Sequence, residues 1–183
     1  MSAVRSIRLS KEIDTILSNE AKERGLSYNQ LVASILKKYS DWDRFTEKLG
    51  YVSNSAILYK RLVDLIPDEK VEEFGSASAK MVKDALLVLY KKADTDTFLR
   101  YMSLVTKYSW GSSVRYDQKT EGNSVILTVH HVFGQKWSLG FRSLMHDAVR
   151  DILGVEPNIV STENTLTIAF PIQTKRLSAA TTD

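Results

Sequence analysis

Residues 4–9, Val-Arg-Ser-Ile-Arg-Leu, alternate as an extended segment does. Ile7 and Leu9 fall on one face, and Val4, Ser6 and Arg8 on the other. Ser10 is a suitable helix N-cap. From Lys11 the period lengthens from two to about 3.6 residues, and Ile13, Ile16, Leu17 and Ala21 form one stripe. Gly25 stands where a left-handed residue commonly ends a helix. Ser27 opens a second helix, and Gln30 three positions on completes a capping box. Its stripe is Leu31, Val32, Ile35, Leu36 and Tyr39. Trp42, Phe45 and Leu49 continue the spacing, which carries the helix to about residue 49 with a bend near Ser40.

The middle of the chain, residues 53–108, reads as helical. Ser53 or Ser55 caps a helix whose stripe is Ile57, Leu58, Leu62, Leu65 and Ile66, ended by Pro67. A short helix over Asp68–Phe74 is expected to stop at Gly75. Ser76 or Ser78 then opens another, with Met81, Ala85, Leu86 and Leu89 inward. Asp94 or Thr95 opens a third, with Phe98, Tyr101, Met102 and Val105 inward. These stripes read as packing surfaces.

From residue 113 the pattern becomes that of strands. Residues 113–119 and 124–132 flank Glu121-Gly122-Asn123, a hairpin signal. A helix follows from about Lys136 or Ser138 to Leu153, with Phe141, Met145, Val149 and Ile152 inward and Gly154 as its stop. Asn158–Thr162 and Thr165–Pro171 make a second hairpin around Glu163-Asn164. The fold class expected is α+β, with a C-terminal β-β-α-β-β domain whose small sheet carries helices on one face. Three segments follow from this reading: 1–50, a connector with the α/β domain over 51–172, and a polar, disordered tail over 173–183.

The first unit poses a packing problem. A strand and two helices within some 40 residues bury too little for a core, and the strand has no partner in its own chain. A second copy supplies one, by antiparallel pairing of the strands and intertwining of the helices. The text SIRLSKEIDTILSNEAKERGLSYNQLVASILKKY, residues 6–39, resembles the ribbon-helix-helix family of DNA-binding proteins, the Arc and methionine repressor class. It has an alternating basic strand, a polar helix start, a Gly-Leu-Ser turn and a second amphipathic helix. The resemblance implies a homodimer whose two-stranded ribbon enters the major groove of double-stranded DNA. Arg8 would donate to guanine O6 and N7, Ser6 would donate or accept, and Val4 would touch a thymine methyl. Lys11 would meet phosphate. The start of the second helix, at Ser27, Tyr28 and Asn29, would offer backbone N–H groups to a phosphate. Arg5 departs from the family, which places an aliphatic residue there. At a ribbon end it is expected to reach for phosphate.

Charge agrees with this placement. Residues 1–40 hold seven basic and four acidic side chains, and the remainder holds 18 of each, so the whole net charge of +3 lies in the first fifth. Hydrophobic residues make up 43% and charged residues 26%, a core-forming composition. Cysteine is absent, which removes disulfides, thiol catalysis and cysteine-ligated metals. No apolar run has membrane-spanning length, and the charged start lacks the apolar centre of a signal peptide. A cytoplasmic, nucleoid-associated location is expected, with no membrane partner.

The remaining chemistry is sparse. His130 and His131 are adjacent on a strand, so their side chains face opposite ways and do not share a metal easily. With His146 on the next helix they read as structural, and no metal or other cofactor is expected. Gly134-Gln135-Lys136-Trp137-Ser138 lacks the pattern of a nucleotide-binding loop and reads as a strand-to-helix turn plugged by Trp137. The rival is an anion site at the helix start beside Lys136. Serines are plentiful but no Gly-X-Ser-X-Gly elbow is present, and the carboxylates are scattered, so no enzyme is expected. The reading is a homodimeric, sequence-specific, prokaryotic DNA-binding transcription regulator. Its C-terminal domain would set a higher oligomeric state or meet a small-molecule effector or protein partner. The alternatives are an antitoxin-like or partition-type adaptor that binds a protein, and a small-molecule sensor or enzyme tethered to DNA.

Overall fold

The computed structural model describes residues 4–172; the tail expected over 173–183 lies outside the described residues. The chain parts into two compact units between Glu47 and Lys48.

In the first unit, residues 4–10 form no regular element within the single chain. Helix α1 spans Lys11–Glu23, and its cap Ser10 accepts from the Ile13 N–H at 3.3 Å. Helix α2 spans Tyr28–Lys38 behind a complete capping box. The Ser27 hydroxyl accepts from Gln30 N–H, and the Gln30 side-chain oxygen accepts from Ser27 N–H. A π-helical turn, Tyr39–Asp43, leads into α3, Arg44–Leu49. The bend near Ser40 thus takes the form of one widened turn within a continuous helical run. Only Ala21, Leu31 and Trp42 are buried among the described residues of this unit.

The second unit begins with α4, Ala56–Asp64, capped by Ser55. Here the expected inward face is wrong. Ile57, Leu58, Leu62 and Leu65 are all exposed, whereas Val63 is buried and Tyr59 and Ile66 are half-buried. Both faces of α4 carry apolar residues, so periodicity alone could not choose between them. The aromatic side of Tyr59 packs on Trp110 and Phe133, with ring centroids 5.1 and 5.3 Å away.

The expected stop at Gly75 is also wrong. A single helix α5 runs from Val71 to Tyr90 through that residue. Gly75 is there for close approach. A Cβ built on it would lie 2.0 Å from the Gly140 carbonyl oxygen, so only glycine lets α5 cross α7 at this distance. Consequently Ser76 and Ser78 lie inside the helix instead of starting one. Of the inward residues expected there, Ala85 and Leu86 are buried, but Met81 is exposed.

Asp94 caps α6, Thr95–Val105, in a capping box with Thr97. Phe98, Tyr101, Met102 and Val105 are buried, as their stripe implies. A second π-helical segment, Thr106–Trp110, follows. The strands are β1 (Val114–Glu121), β2 (Ser124–His131), β3 (Asn158–Ser161) and β4 (Thr165–Pro171), with α7 (Gln135–Leu153) between β2 and β3. They form one antiparallel sheet in the order β1-β2-β4-β3. Glu121 pairs with Ser124 across the Gly122-Asn123 turn, and Leu127 of β2 pairs with Ile168 of β4. One face is buried through Val125, Leu127, Val129, Leu166, Ile168 and Phe170. Phe98 of α6 meets Phe170 edge to face at 6.1 Å. The architecture is α+β. No helix among the described residues is long and apolar enough to cross a membrane.

Candidate functional site

The residues expected to touch DNA lie on the first unit. Val4, Arg5, Ser6, Arg8, Lys11, Ser27 and Asn29 are exposed. Tyr28 differs. It is half-buried, and its pKa is raised by desolvation first and by the Asp14 carboxylate second. The candidate phosphate donor at this position is its backbone N–H. The capping box decides which donors α2 can offer. Ser27 and Gln30 satisfy each other, and the N–H groups of Tyr28 and Asn29, in the first turn, have no intrahelical acceptor. They point outward along the helix axis, where the helix dipole favours an anion.

Beside these polar groups runs an uncovered apolar stripe. Ile7 is 64% exposed, Ile16 59%, Leu36 59% and Tyr39 60%, and Leu9, Ile13 and Ile35 are exposed as well. These are the side chains that the strand alternation of residues 4–9 and the helical period beyond it assign to an interior. Within the described residues of this unit nothing encloses them, and only three of those residues are buried.

The second unit holds a cavity of about 620 Å³ that sequence reasoning missed. Val71, Ser78, Val82 and Ala85 of α5 line one side. Tyr101, Met102 and Val105 of α6, then Trp110, line another. Trp137, Gly140 and Phe141 of α7 close it, with Tyr59 and Tyr51 from the preceding segments. Ala85, Tyr101, Met102, Val105 and Phe141 had been read as inward from their own stripes, and Trp137 as a plug. Their convergence around a space depends on contacts between elements far apart in the chain.

The histidines are resolved by geometry. His131 points into the core and is 6% exposed. Its Nδ1 accepts from the Phe133 N–H at 3.2 Å, which leaves Nε2 to donate to the Ser138 hydroxyl at 2.8 Å. That hydroxyl donates on to the Glu163 carbonyl at 3.0 Å. The chain of bonds needs a neutral imidazole, and burial, with nearby His130 second, lowers the His131 pKa to about 4. His130 faces the other way and pairs with the Thr165 hydroxyl at 3.0 Å. Among the described residues no three histidines and carboxylates converge as a metal site would require.

Gly134 adopts φ 84° at the turn into α7, and Trp137 behind it is buried among Trp110, Phe133, His131 and Phe141. Lys136 does not wait for an anion. Its ammonium donates to the carbonyls of Asp64 and Ile66 and pairs with Asp68. The anion-site reading of this turn therefore fails.

One expected result concerns acid. The unfolded chain protonates His131 near its ordinary value of 6.5, and the folded chain only near 4. The contribution of the neutral imidazole is complete above about pH 6.5 and is lost as pH falls from there towards 4. The loss should be on the order of 2 kcal/mol. Denaturant unfolding at pH 7 and pH 4.5 should show it for the natural chain and a smaller change for His131→Gln. Equal pH dependence in the two would remove His131 as the cause.

No known protein-family model matches this chain, and no curated protein matches it.

Proposed function

We propose that the chain is a homodimeric, sequence-specific DNA-binding regulator that reads the major groove with residues 4–8 of two copies. The observation that carries this is the uncovered stripe of Ile7, Leu9, Ile13, Ile16, Leu36 and Tyr39, on a unit with three buried residues among those described and directly beside an alternating basic segment. A second copy covers the stripe and gives residues 4–9 a strand partner in one step. The ribbon so formed leaves Val4, Ser6 and Arg8 on its outer face. An antiparallel two-stranded ribbon fits the major groove, and Arg8 suits the bidentate guanine contact that specifies sequence. The free N–H groups of Tyr28 and Asn29 then supply a phosphate clamp on each half-site, and Lys11 and Arg5 supply charge to the backbone.

The two kinds of contact separate experimentally. Arg8→Ala should cost on the order of 1–3 kcal/mol per contacted half-site and relax preference at one base position. Lys11→Ala should weaken all sequences about equally and flatten the dependence of log affinity on log salt. Both side chains are exposed, so both variants should fold as the natural chain does. Titration of specific and scrambled duplexes at several salt concentrations measures this. Specific binding that survives Arg8→Ala with affinity and base preference unchanged would exclude the ribbon as the reading surface.

A further inference from the structure

The cavity of the second unit measures about 620 Å³ and is open to solvent on one side. Pockets that hold small organic ligands span roughly 300–1,000 Å³. Its wall is dominated by apolar side chains, with the aromatic faces of Tyr59, Trp110, Trp137 and Phe141 among them. Phe74 and Met81, 53% and 66% exposed, border it and mark its opening to solvent.

Most polar side chains of the wall are bonded within the protein. The Tyr51 and Tyr101 hydroxyls lie 2.6 Å apart and share a hydrogen bond. Burial raises the Tyr59 pKa, and the Trp137 side chain beside it acts in the opposite sense. The Thr106 hydroxyl donates to the Met102 carbonyl and the Ser78 hydroxyl to the Phe74 carbonyl. Lys136, the cation nearest the aromatic cluster in sequence, is held by Asp68 and two carbonyls. The other charged lining residues, Lys48 and Asp84, are exposed. An ionised ligand entering this space would lose its hydration against an apolar wall whose Lys48 and Asp84 charges lie on exposed residues. A neutral one loses little and gains stacking and apolar contact.

From this wall we propose that residues 48–172 form a binding site for an uncharged, largely apolar small molecule, with an aromatic or polyene-like body lying against Trp110, Trp137 and Phe141. Occupancy is separate from DNA binding by the first unit and is read without DNA.

The test uses the full chain and two fluorescent probes of similar shape and opposite character. N-phenyl-1-naphthylamine is neutral, and 8-anilinonaphthalene-1-sulfonate carries a fixed negative charge. The neutral probe should bind saturably at one per chain with enhanced, blue-shifted emission. The sulfonate should bind at least tenfold more weakly. Saturating neutral probe should raise the Tm of the second unit by several degrees, as binding to the folded state alone requires. Ala85→Phe, which extends a ring into the cavity from α5, should weaken the neutral probe at least tenfold. Ser78→Phe, on a half-exposed part of the same wall, should do the same should Ala85→Phe not fold. Equal affinity for both probes, absence of saturation, an unchanged Tm, or undiminished binding by a folded filled variant would each overturn the proposal. Loss of probe binding on Leu36→Lys, with both fillers neutral, would place the probe on the apolar stripe of the first unit and also overturn it.

Discussion

Leu36→Lys should convert the dimer to monomers and abolish high-affinity DNA binding, while the second unit melts unchanged. Leu36 is 59% exposed in the single chain, so a lysine there costs a monomer nothing. In a two-fold dimer the same position is enclosed twice, once in each copy. Each buried, unpaired ammonium would cost about 3–5 kcal/mol. The two together should weaken association by at least about 10⁴-fold. The single unit has only Ala21, Leu31 and Trp42 buried among its described residues, so it should also lose helix content once alone. Sedimentation equilibrium at micromolar concentration, with circular dichroism on the same samples, reads both effects. A Leu36→Lys chain that remains dimeric would mean that the stripe is covered by something other than a second copy.

Gly75→Ala should be among the most damaging single-methyl changes in the second unit, and Gly140→Ala nearly harmless. The two glycines face one another at the crossing of α5 and α7, but their surroundings differ. A Cβ on Gly75 would meet the Gly140 backbone oxygen at 2.0 Å, and backbone in the middle of a long helix has no easy way to yield. A Cβ on Gly140 would meet the Val71 oxygen at 3.4 Å, an ordinary contact. Alanine also improves helix propensity over glycine by roughly 1 kcal/mol, which offsets small strain at Gly140 but not a backbone clash at Gly75. The expected cost is about 3 kcal/mol or more for Gly75→Ala and within about 1 kcal/mol of zero for Gly140→Ala. In a protein of this size the former corresponds to a Tm lowered by roughly 10 °C. Equal effects at the two positions would show that the helices part more easily than this packing allows.

These cases mark where local chemistry suffices to read the chain and where it does not. Ser10 and Ser27 were legible as helix starts, and Ser55 and Asp94 each as one of two candidates, because a cap acts on N–H groups two or three residues away. The Gly122-Asn123 turn and the Gly154 stop are equally local. Gly75 misled because its reason is the Gly140 backbone, 65 positions distant in sequence. The faces of α4 misled because both are apolar, and only the aromatic partners Trp110 and Phe133 choose one. Met81 carried the period of a core residue and borders an open cavity instead. The DNA-facing residues are a proposal drawn from alternation, capping and the family resemblance. The cavity was not legible, because no one element contains enough of its wall.

The most direct measurement is selection of duplexes from a random DNA pool by the purified full chain at low salt. The pool should converge on a two-fold symmetric site whose half-sites each contain a guanine that is no longer required by Arg8→Ala. A pool that stays random after repeated rounds, with the protein folded and dimeric, would contradict sequence-specific DNA recognition by this chain.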